Sequence, residues 1–333
     1  MAASTSTEEI AMAITSGDRR ALARGITLVE STRVDHRDQA LELLDVLAGQ
    51  PGKSMRVAIS GTPGVGKSTF IESFGKHVIA DGHRIAVLAI DPSSTLTGGS
   101  ILGDKTRMEL LTRDPNAFIR PSPSGGTLGG VAARTREAIL LCEAAGFDLV
   151  VVETVGIGQS ETMAAQMTDM FVLLLAPGGG DELQGIKRGI MELADLILVN
   201  KADGELEHAA NKAVREYRLG VQLIRPRSKH WEVSVEPCSA LQDRGIAESW
   251  RRMCDYREVM NVHGEIAVRR GSQAKTWMYA EIHDALEQRF RANVQVRENL
   301  QAIEAAVTSG DLPPAMAAQR LLDLFQTGKT SKE

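Results

Sequence analysis

Residues 61–68 read Gly61-Thr62-Pro63-Gly64-Val65-Gly66-Lys67-Ser68, which fits the pattern G-x-x-x-x-G-K-[ST] at every position. Glycines at such positions allow the tight backbone turn in which successive N–H groups point at phosphate oxygens. An apolar run at 56–60 precedes the stretch, and a helical pattern at 68–80 follows it. Because the helix N-terminus adds a partial positive charge, this strand, loop and helix together predict a P-loop that binds nucleotide phosphates.

Two side chains of the P-loop have predicted chemical roles. The Lys67 ammonium is expected to bridge the β- and γ-phosphates and to act in catalysis, and the Ser68 hydroxyl to ligate magnesium. The nucleotide would therefore bind together with Mg²⁺. The predicted nucleotide-binding residues of this segment are Gly61, Thr62, Pro63, Gly64, Val65, Gly66, Lys67, Ser68 and Thr69.

Around the P-loop, short apolar runs alternate with helical patterns. Near-continuous apolar runs are typical of parallel strands that helices cover on both faces. Predicted strands lie at 56–60, 85–90, 147–153, 170–175, 196–200 and 231–237, and predicted helices at 130–145 and 183–193. We therefore predict an α/β fold, a P-loop NTPase with a mostly parallel, doubly wound sheet at 51–243. A helical N-terminal extension at 1–50 and a helical C-terminal arm at 244–333 flank it.

Composition excludes several classes of partner. The chain has 333 residues, of which 43% are hydrophobic and 24% charged, with a formal net charge of -5. It has no long polybasic run, so we expect neither nucleic acid nor a membrane surface as a partner. No apolar run approaches the roughly 20 residues of a membrane span. The first residues lack the pattern of a secretory signal, and we expect a cytoplasmic protein.

The three cysteines are far apart in sequence and odd in number. They are Cys142, Cys238 and Cys254. Such spacing is typical of reduced thiols in an intracellular protein, and we expect them to be buried. The seven histidines are scattered, and no Cys/His cluster with metal-ligand spacing is present.

A P-loop enzyme needs an acidic residue at the end of a nearby strand to hold magnesium or its waters. Glu153, at the end of the predicted strand 147–153, is the first candidate, although a solvated strand-end acid would look the same. Asp91 follows the strand at 85–90 and could hold a magnesium water or orient the attacking water. Asp104 is a weaker candidate that fits an ordinary helix cap equally well. Gly156 could offer its N–H to a γ-phosphate and so take part in catalysis.

The predicted strand at 196–200 runs into Asn200-Lys201-Ala202-Asp203, which matches the guanine signature Asn-Lys-x-Asp. The Asp203 carboxylate can accept hydrogen bonds from guanine N1–H and N2–H2, and adenine lacks both donors in that arrangement. Lys201 can cover the base plane, and Asn200 can tie this loop to the P-loop. The stretch Ser239-Ala240-Leu241 follows the last predicted strand and is expected to contact guanine O6 through its backbone.

Two further segments have the composition of nucleotide-sensing switches. The first follows Glu153 and contains Gln159. The second, residues 177–187, contains three consecutive glycines, which are costly to order and suit a segment that rearranges. A passive loop is the alternative. The residues of the second segment that we expect to signal to a partner are Asp181, Gln184 and Lys187.

Together these motifs resemble the MeaB-type GTPases, relatives of the human methylmalonic aciduria type A protein that are sometimes labelled arginine/ornithine transport kinases. The resemblance is carried by the P-loop, by residues 91–94, by 153–161 and by 200–203. It extends to 21–31 and 225–232, and so spans nearly the whole chain. The glutamate at position 153, where many GTPases have an aspartate, is a trait of the wider group of metallochaperone GTPases.

The resemblance implies more than the residues alone. Members of this family hydrolyse GTP and assist adenosylcobalamin-dependent methylmalonyl-CoA mutase, gating cofactor loading and protecting the mutase from inactivation. They form homodimers through their helical arms. Carried to this chain, the switch segments 153–166 and 177–188 would read the nucleotide and contact the mutase, and the arm at 244–333 would mediate dimerisation.

Three other functions stay open at this point. A metal-chaperone GTPase would need a Cys/His metal-ligand cluster, which this sequence lacks. A small-molecule kinase of the transport type could use the same phosphate site, but the guanine signature disfavours it. A nucleotide-dependent scaffold with negligible turnover is the third. An arginine or lysine could move inward when a partner binds; the candidates are Arg107, Arg134 and Lys187, although each also fits a surface charge or an ordinary ion pair.

The guanine signature generates a test by base exchange. Asp203→Asn should weaken GTP binding and favour xanthosine triphosphate, because xanthine has an acceptor where guanine has the N2 donor. Competition binding of the two nucleotides to the purified variant measures the switch. Unchanged GTP affinity in the variant would contradict the assignment of Asp203 to the base.

Overall fold

The computed structural model describes residues 6–31, 33–48, 53–90, 108–121, 128–154, 160–178 and 188–327. The chain divides into two compact units, residues 1–273 and 274–333. The predicted division into an N-terminal extension, a GTPase domain and a C-terminal arm, with boundaries after residues 50 and 243, stays a prediction. Among the described residues, no helix is both long and apolar enough to cross a bilayer.

The described residues form a sheet of seven parallel strands in the order β3-β2-β4-β1-β5-β6-β7. The strands are β1 Met55–Gly61, β2 Ile85–Ile90, β3 Ala117–Arg120, β4 Leu149–Thr154, β5 Met170–Leu175, β6 Leu196–Val199 and β7 Ser234–Pro237. Every residue of the four central strands is buried. This confirms the predicted α/β P-loop fold, and the sheet is wholly parallel rather than mostly so.

Helices follow most of the strands along the chain, and further helices precede the first strand and follow the last. Those that lie wholly in the first unit are α1 Thr7–Thr15, α2 Arg19–Glu30, α3 Val34–Leu47, α4 Lys67–Ala80, α5 Glu109–Arg113, α6 Leu128–Ala144, α7 Ser160–Ala165, α8 Arg188–Met191, α9 Glu207–Val221 and α10 Ile246–Val262. The remaining helices are α11 Glu265–Ala292, which runs from the first unit into the second, α12 Val294–Ser309 and α13 Pro314–Thr327. The helical patterns at both ends of the sequence thus correspond to helices.

The short strand β3 was absent from the sequence-based assignment. It contributes four residues at the edge of the sheet and, among the described strands, pairs with β2 alone. Its three apolar residues are too few to distinguish a strand from a turn in the sequence. Its last residue, Arg120, is not part of the apolar core, and its guanidinium donates to the Glu30 carboxylate of α2.

The predicted strand at 231–237 begins three residues later than expected, at Ser234. Trp231 lies before it, and its indole Nε1 donates to the Asp195 carbonyl at 2.8 Å. Of the predicted helix at 183–193, only Arg188–Met191 lies within the described helical residues.

The carboxyl ends of the strands lie at one edge, and the loops that follow them carry the predicted site. Register pairs Ile59 of β1 with Glu153 of β4, and Val199 of β6 with Pro237 of β7. The P-loop therefore leaves β1 next to Glu153, while the two predicted base loops leave adjacent strands. In parallel sheets, ligands bind at this edge.

The amino ends of the strands are closed by buried ion pairs. Asp169, just before β5, accepts hydrogen bonds from Arg270 Nε at 2.7 Å and Nη2 at 2.6 Å, and from the backbone N–H of Arg56 at 2.9 Å. Arg270 Nη2 also donates to the Ser54 carbonyl at 2.7 Å. The Arg56 guanidinium pairs with Glu143 of α6 through bonds of 2.8 and 2.7 Å. These contacts join the beginning of α11 to the sheet.

Removing one partner of such a pair leaves a buried charge without compensation. Arg270→Met is expected to lower the free energy of unfolding by about 2–3 kcal/mol, because Asp169 is only 1% exposed. Chemical denaturation followed by circular dichroism measures this. The matched control is Arg113→Met, whose pair with Glu109 is exposed and should contribute less than about 0.5 kcal/mol. Equal stability of the two variants would contradict the buried-pair argument.

Candidate nucleotide-binding site

The P-loop begins at the end of β1 and caps α4. Gly64 and Gly66 have φ of 81° and 93°, in the left-handed region that glycine adopts without strain. Gly66 is the N-cap residue of α4. A Cβ on Gly66 would lie 2.8 Å from Asn200 Nδ2, so this glycine also permits the close approach of a second loop.

The Lys67 ammonium folds back over the beginning of the loop. Its Nζ donates to the carbonyls of Gly61 at 2.7 Å and Thr62 at 3.2 Å. Both acceptors belong to the beginning of the loop itself, so the ammonium lies against the P-loop. In that position the ammonium can meet the β- and γ-phosphates.

The Ser68 hydroxyl and the Glu153 carboxylate lie side by side. The Ser68 hydroxyl donates to Glu153 Oε1 at 3.3 Å, and Glu153 is only 6% exposed. The next residue, Thr154, donates to Ser60 Oγ at 2.8 Å and so joins the ends of β4 and β1. A hydroxyl and a carboxylate suit Mg²⁺, which takes few protein ligands and completes its shell with phosphate oxygens and water. These two residues therefore fit a magnesium site.

Asn200 links the P-loop to the second base loop. Its side chain is 2% exposed and its Nδ2 donates to the Val65 carbonyl at 2.9 Å. Its Oδ1 accepts from the Ala240 N–H at 3.1 Å and lies 3.7 Å from the Cys238 thiol. Burial raises the pKa of Cys238 to about 12, so the thiol stays protonated and can donate. The single amide thus contacts two other segments of the site, the P-loop and the chain at 238–240.

The guanine signature loop has a strained backbone. Lys201 adopts a φ of 59°, which is uncommon for a residue with a side chain. The Ala202 N–H donates to the Cys238 carbonyl at 2.9 Å, and the Ser239 hydroxyl donates to the Asp203 carboxylate. The carboxylate is therefore oriented by the neighbouring loop.

The structure brings together the P-loop, Glu153, the loop at 200–203 and the loop at 239–241. Leu241 points its side chain to solvent and is 79% exposed, which leaves its backbone as the part that can meet a base. Several predicted site residues lie outside the described residues: Asp91, Asp104, Gly156, Gln159, Asp181, Gln184 and Lys187. Of the candidate cations, Arg107 also lies outside them, and Arg134 lies half-buried on α6.

Two findings differ from the sequence analysis. The cysteines were expected to be buried; Cys142 and Cys238 are, but Cys254 is exposed, because it lies on the outer side of α10. The contacts of Ser73, Asp243 and Arg244 beside the base loops were also not foreseen. No short motif marks them, since they lie beyond the signature residues.

Comparison with known proteins places this geometry in a family. The family described as methylmalonyl-CoA mutase-associated GTPase MeaB matches residues 22–295. The chain belongs to this family. It is accordingly a P-loop GTPase, as the phosphate and guanine motifs predict.

Relatives agree with that placement over nearly the whole chain. The GTPase ArgK of Escherichia coli is 44% identical over 93% of this chain and 94% of its own length. The mouse methylmalonic aciduria type A homolog, described as mitochondrial, is 50% identical over 93% of this chain and 77% of its own length. A crystal structure of a LAO/AO transport system kinase superposes with a TM-score of 0.75 at 36% identity, covering 96% of this chain and 97% of that one.

The central position of Asn200 generates a prediction. Asn200→Ala removes its hydrogen bonds to two loops and should lower the free energy of unfolding by about 2–3 kcal/mol. It should also weaken GDP binding by about tenfold or more, since the loops lose their common contact. Titration with a fluorescent GDP analogue measures the affinity. Asn211→Ala, at an exposed position of α9, is the matched control; it should leave GDP binding unchanged and should not lower the free energy of unfolding, since alanine favours a helix. Normal GDP affinity in Asn200→Ala would be evidence against the linking role.

Proposed function

We propose that this GTPase acts as a G-protein chaperone of adenosylcobalamin-dependent methylmalonyl-CoA mutase. In this role it gates cofactor loading and protects the mutase from inactivation. The family match over residues 22–295 carries the proposal, because the family description itself associates its members with that mutase. The mouse relative, whose name refers to methylmalonic aciduria, supports it further.

The proposed nucleotide site uses the chain's own groups as follows. Lys67 and the backbone N–H groups of the P-loop bind the phosphates, and Ser68 and Glu153 hold Mg²⁺, with Asp91 as a further ligand or water holder. When bound, Mg²⁺ neutralises charge on the β- and γ-phosphates. Asp203 selects guanine, Lys201 covers the base, and the backbone of 239–241 meets O6.

The link from nucleotide to partner is proposed to run through the two switch segments. Glu153, which contacts Ser68, begins the segment 153–166, so a change at the γ-phosphate is transmitted directly into it. Within it, Gly156 would contact the γ-phosphate and Gln159 would respond. In the segment 177–188, the residues proposed to contact the mutase are Asp181, Gln184 and Lys187.

A homodimer is part of the same proposal. The second unit carries several large apolar side chains that are about half exposed, which favours contact with another chain. They are Met278, Tyr279, Ile282, Leu286, Met316 and Leu322. Cytoplasmic localisation stays a prediction, and the mouse relative is described as mitochondrial.

One similar structure is named a transport system kinase, so transfer of the γ-phosphate to a small molecule is the alternative reaction to test. A kinase would move the γ-phosphate to a small substrate, whereas a GTPase passes it to water. Incubation with γ-labelled GTP and arginine or ornithine separates the two, because only the kinase yields a labelled amino acid. We expect free phosphate alone.

The decisive measurement is GTP hydrolysis by the purified protein, alone and with methylmalonyl-CoA mutase. We expect a slow basal rate that rises at least about tenfold with the mutase. A GTPase can turn over slowly by itself, and a cationic side chain supplied by a partner accelerates the reaction by stabilising charge in the transition state. Lys67→Ala should abolish both rates. Lys76→Ala, an exposed lysine on the same helix, is the control and should retain both. No response to the mutase would leave a GTPase with a different partner.

A further inference from the structure

The chain after β7 turns back on itself beside the base site. Ser239 and Arg244 exchange two backbone hydrogen bonds, of 2.9 and 3.1 Å, around the tip that contains Ala240 and Leu241. The Gln242 N–H donates to Ser239 Oγ at 3.1 Å. Asp243 has a φ of 53°. The second base loop is therefore a small closed turn, whose position depends on what holds its far end.

One side of this turn is attached to the helix that follows the P-loop. The Ser73 hydroxyl of α4 donates to the carboxylate of Asp243. Ser73 is 7% exposed and lies on the same helix as Lys67 and Ser68. Aspartate tolerates the left-handed conformation better than most residues, which suits it to this position. The contact gives the phosphate site and the base loop a second connection, beyond Asn200.

The other side of the turn is attached to the loop that carries Asp203. Arg244 Nη2 donates to Glu207 Oε1 at 2.8 Å, and Glu207 is the first residue of α9, four residues after Asp203. This hydrogen bond lowers the pKa of Glu207, while the negative charge of Asp203 opposes that shift. The guanidinium thus lies within the field of the carboxylate proposed to read guanine.

Both ends of the Arg244–Glu207 pair are about half exposed, at 53% and 47%. Exposed pairs contribute little to global stability. They can nevertheless change how often two loops separate, because opening a local segment costs far less than unfolding the domain. If release of the nucleotide requires these loops to separate, as the closing segments of many enzymes do, the pair is placed to act on the release rate.

We propose that Asp243 and Arg244 form a clamp that holds the base loop 239–241 against α4 and α9, and so slows nucleotide release and sharpens selection of guanine. They are positioning residues, since they act through Ser239, Ala240 and Asp203. The inference rests on the proposed assignment of 200–203 and 239–241 to the guanine base.

The test measures release of a fluorescent GDP analogue from the full-length protein by stopped-flow chase with excess GDP. Arg244→Gln and Ser73→Ala should each raise the dissociation rate, by about threefold for the exposed Arg244 pair. Arg251→Gln, an exposed arginine on α10, is the charge-matched control and should release the analogue at the unaltered rate. Arg244→Lys should restore part of the slow release.

Selectivity separates positioning from a general structural effect. Inosine diphosphate lacks the N2 amine that Asp203 is proposed to read, so the ratio of GDP to inosine diphosphate affinity reports the orientation of that carboxylate. Arg244→Gln should lower this ratio at an unchanged melting temperature. Glu207→Gln should reproduce the effect, and the double variant should add nothing.

The outcomes distinguish the clamp from the site on which it rests. If the unaltered protein binds the GDP analogue but both variants release it at the control rate, the clamp is overturned and the guanine site stands. If the unaltered protein does not bind guanine nucleotides, the proposed function and the clamp both fail. Faster release with an unchanged GDP to inosine diphosphate ratio would overturn the selectivity role.

Discussion

The buried amide of Asn200 is the contact on which the geometry of the nucleotide site depends. Its donor reaches the P-loop at Val65 and its acceptor receives the N–H of Ala240 in the second base loop. An asparagine can do this because it has a donor and an acceptor on one planar group. The strands that carry these loops, β1, β6 and β7, are not all neighbours, since β5 lies between β1 and β6. This side chain therefore joins directly the part of the site proposed for the phosphates and the part proposed for the base, and the contact of Ser73 with Asp243 supports it from α4.

The polar groups at the two edges of the sheet differ in whether they are paired with one another or face a ligand. At the amino edge, Asp169 and Arg270 satisfy one another in a setting where an unpaired charge would be costly. At the carboxyl edge, polar groups of the P-loop and base loops remain available to a ligand. Strain is also concentrated there, in the positive φ of Lys201 and Asp243. Strained residues persist where the surrounding contacts over-determine them, and such places are commonly functional.

The function follows from the combination of these loops rather than from any one of them. The P-loop alone would serve many nucleotide-dependent reactions, and the guanine signature alone is short. Both kinds of loop lie at one edge, where Asn200 joins them and Ser239 contacts Asp203, and this arrangement supports the proposed selection of a guanine nucleotide. Placement of Glu153 against Ser68 then connects that ligand to the segment proposed to signal to a partner.

The sequence by itself determined the fold class, the P-loop and the base loops, because each depends on local patterns. Apolar strand runs, a glycine-rich turn before a helix, and Asn200 to Asp203 at a strand end can all be read within a few residues. Only the tertiary structure decided which distant groups meet. The pairing of Ser73 with Asp243, of Arg244 with Glu207, and of Asp169 with Arg270 joins residues 37 to 170 positions apart. No local propensity encodes such contacts, because they arise when packing of the sheet and its helices brings separate segments to the same edge.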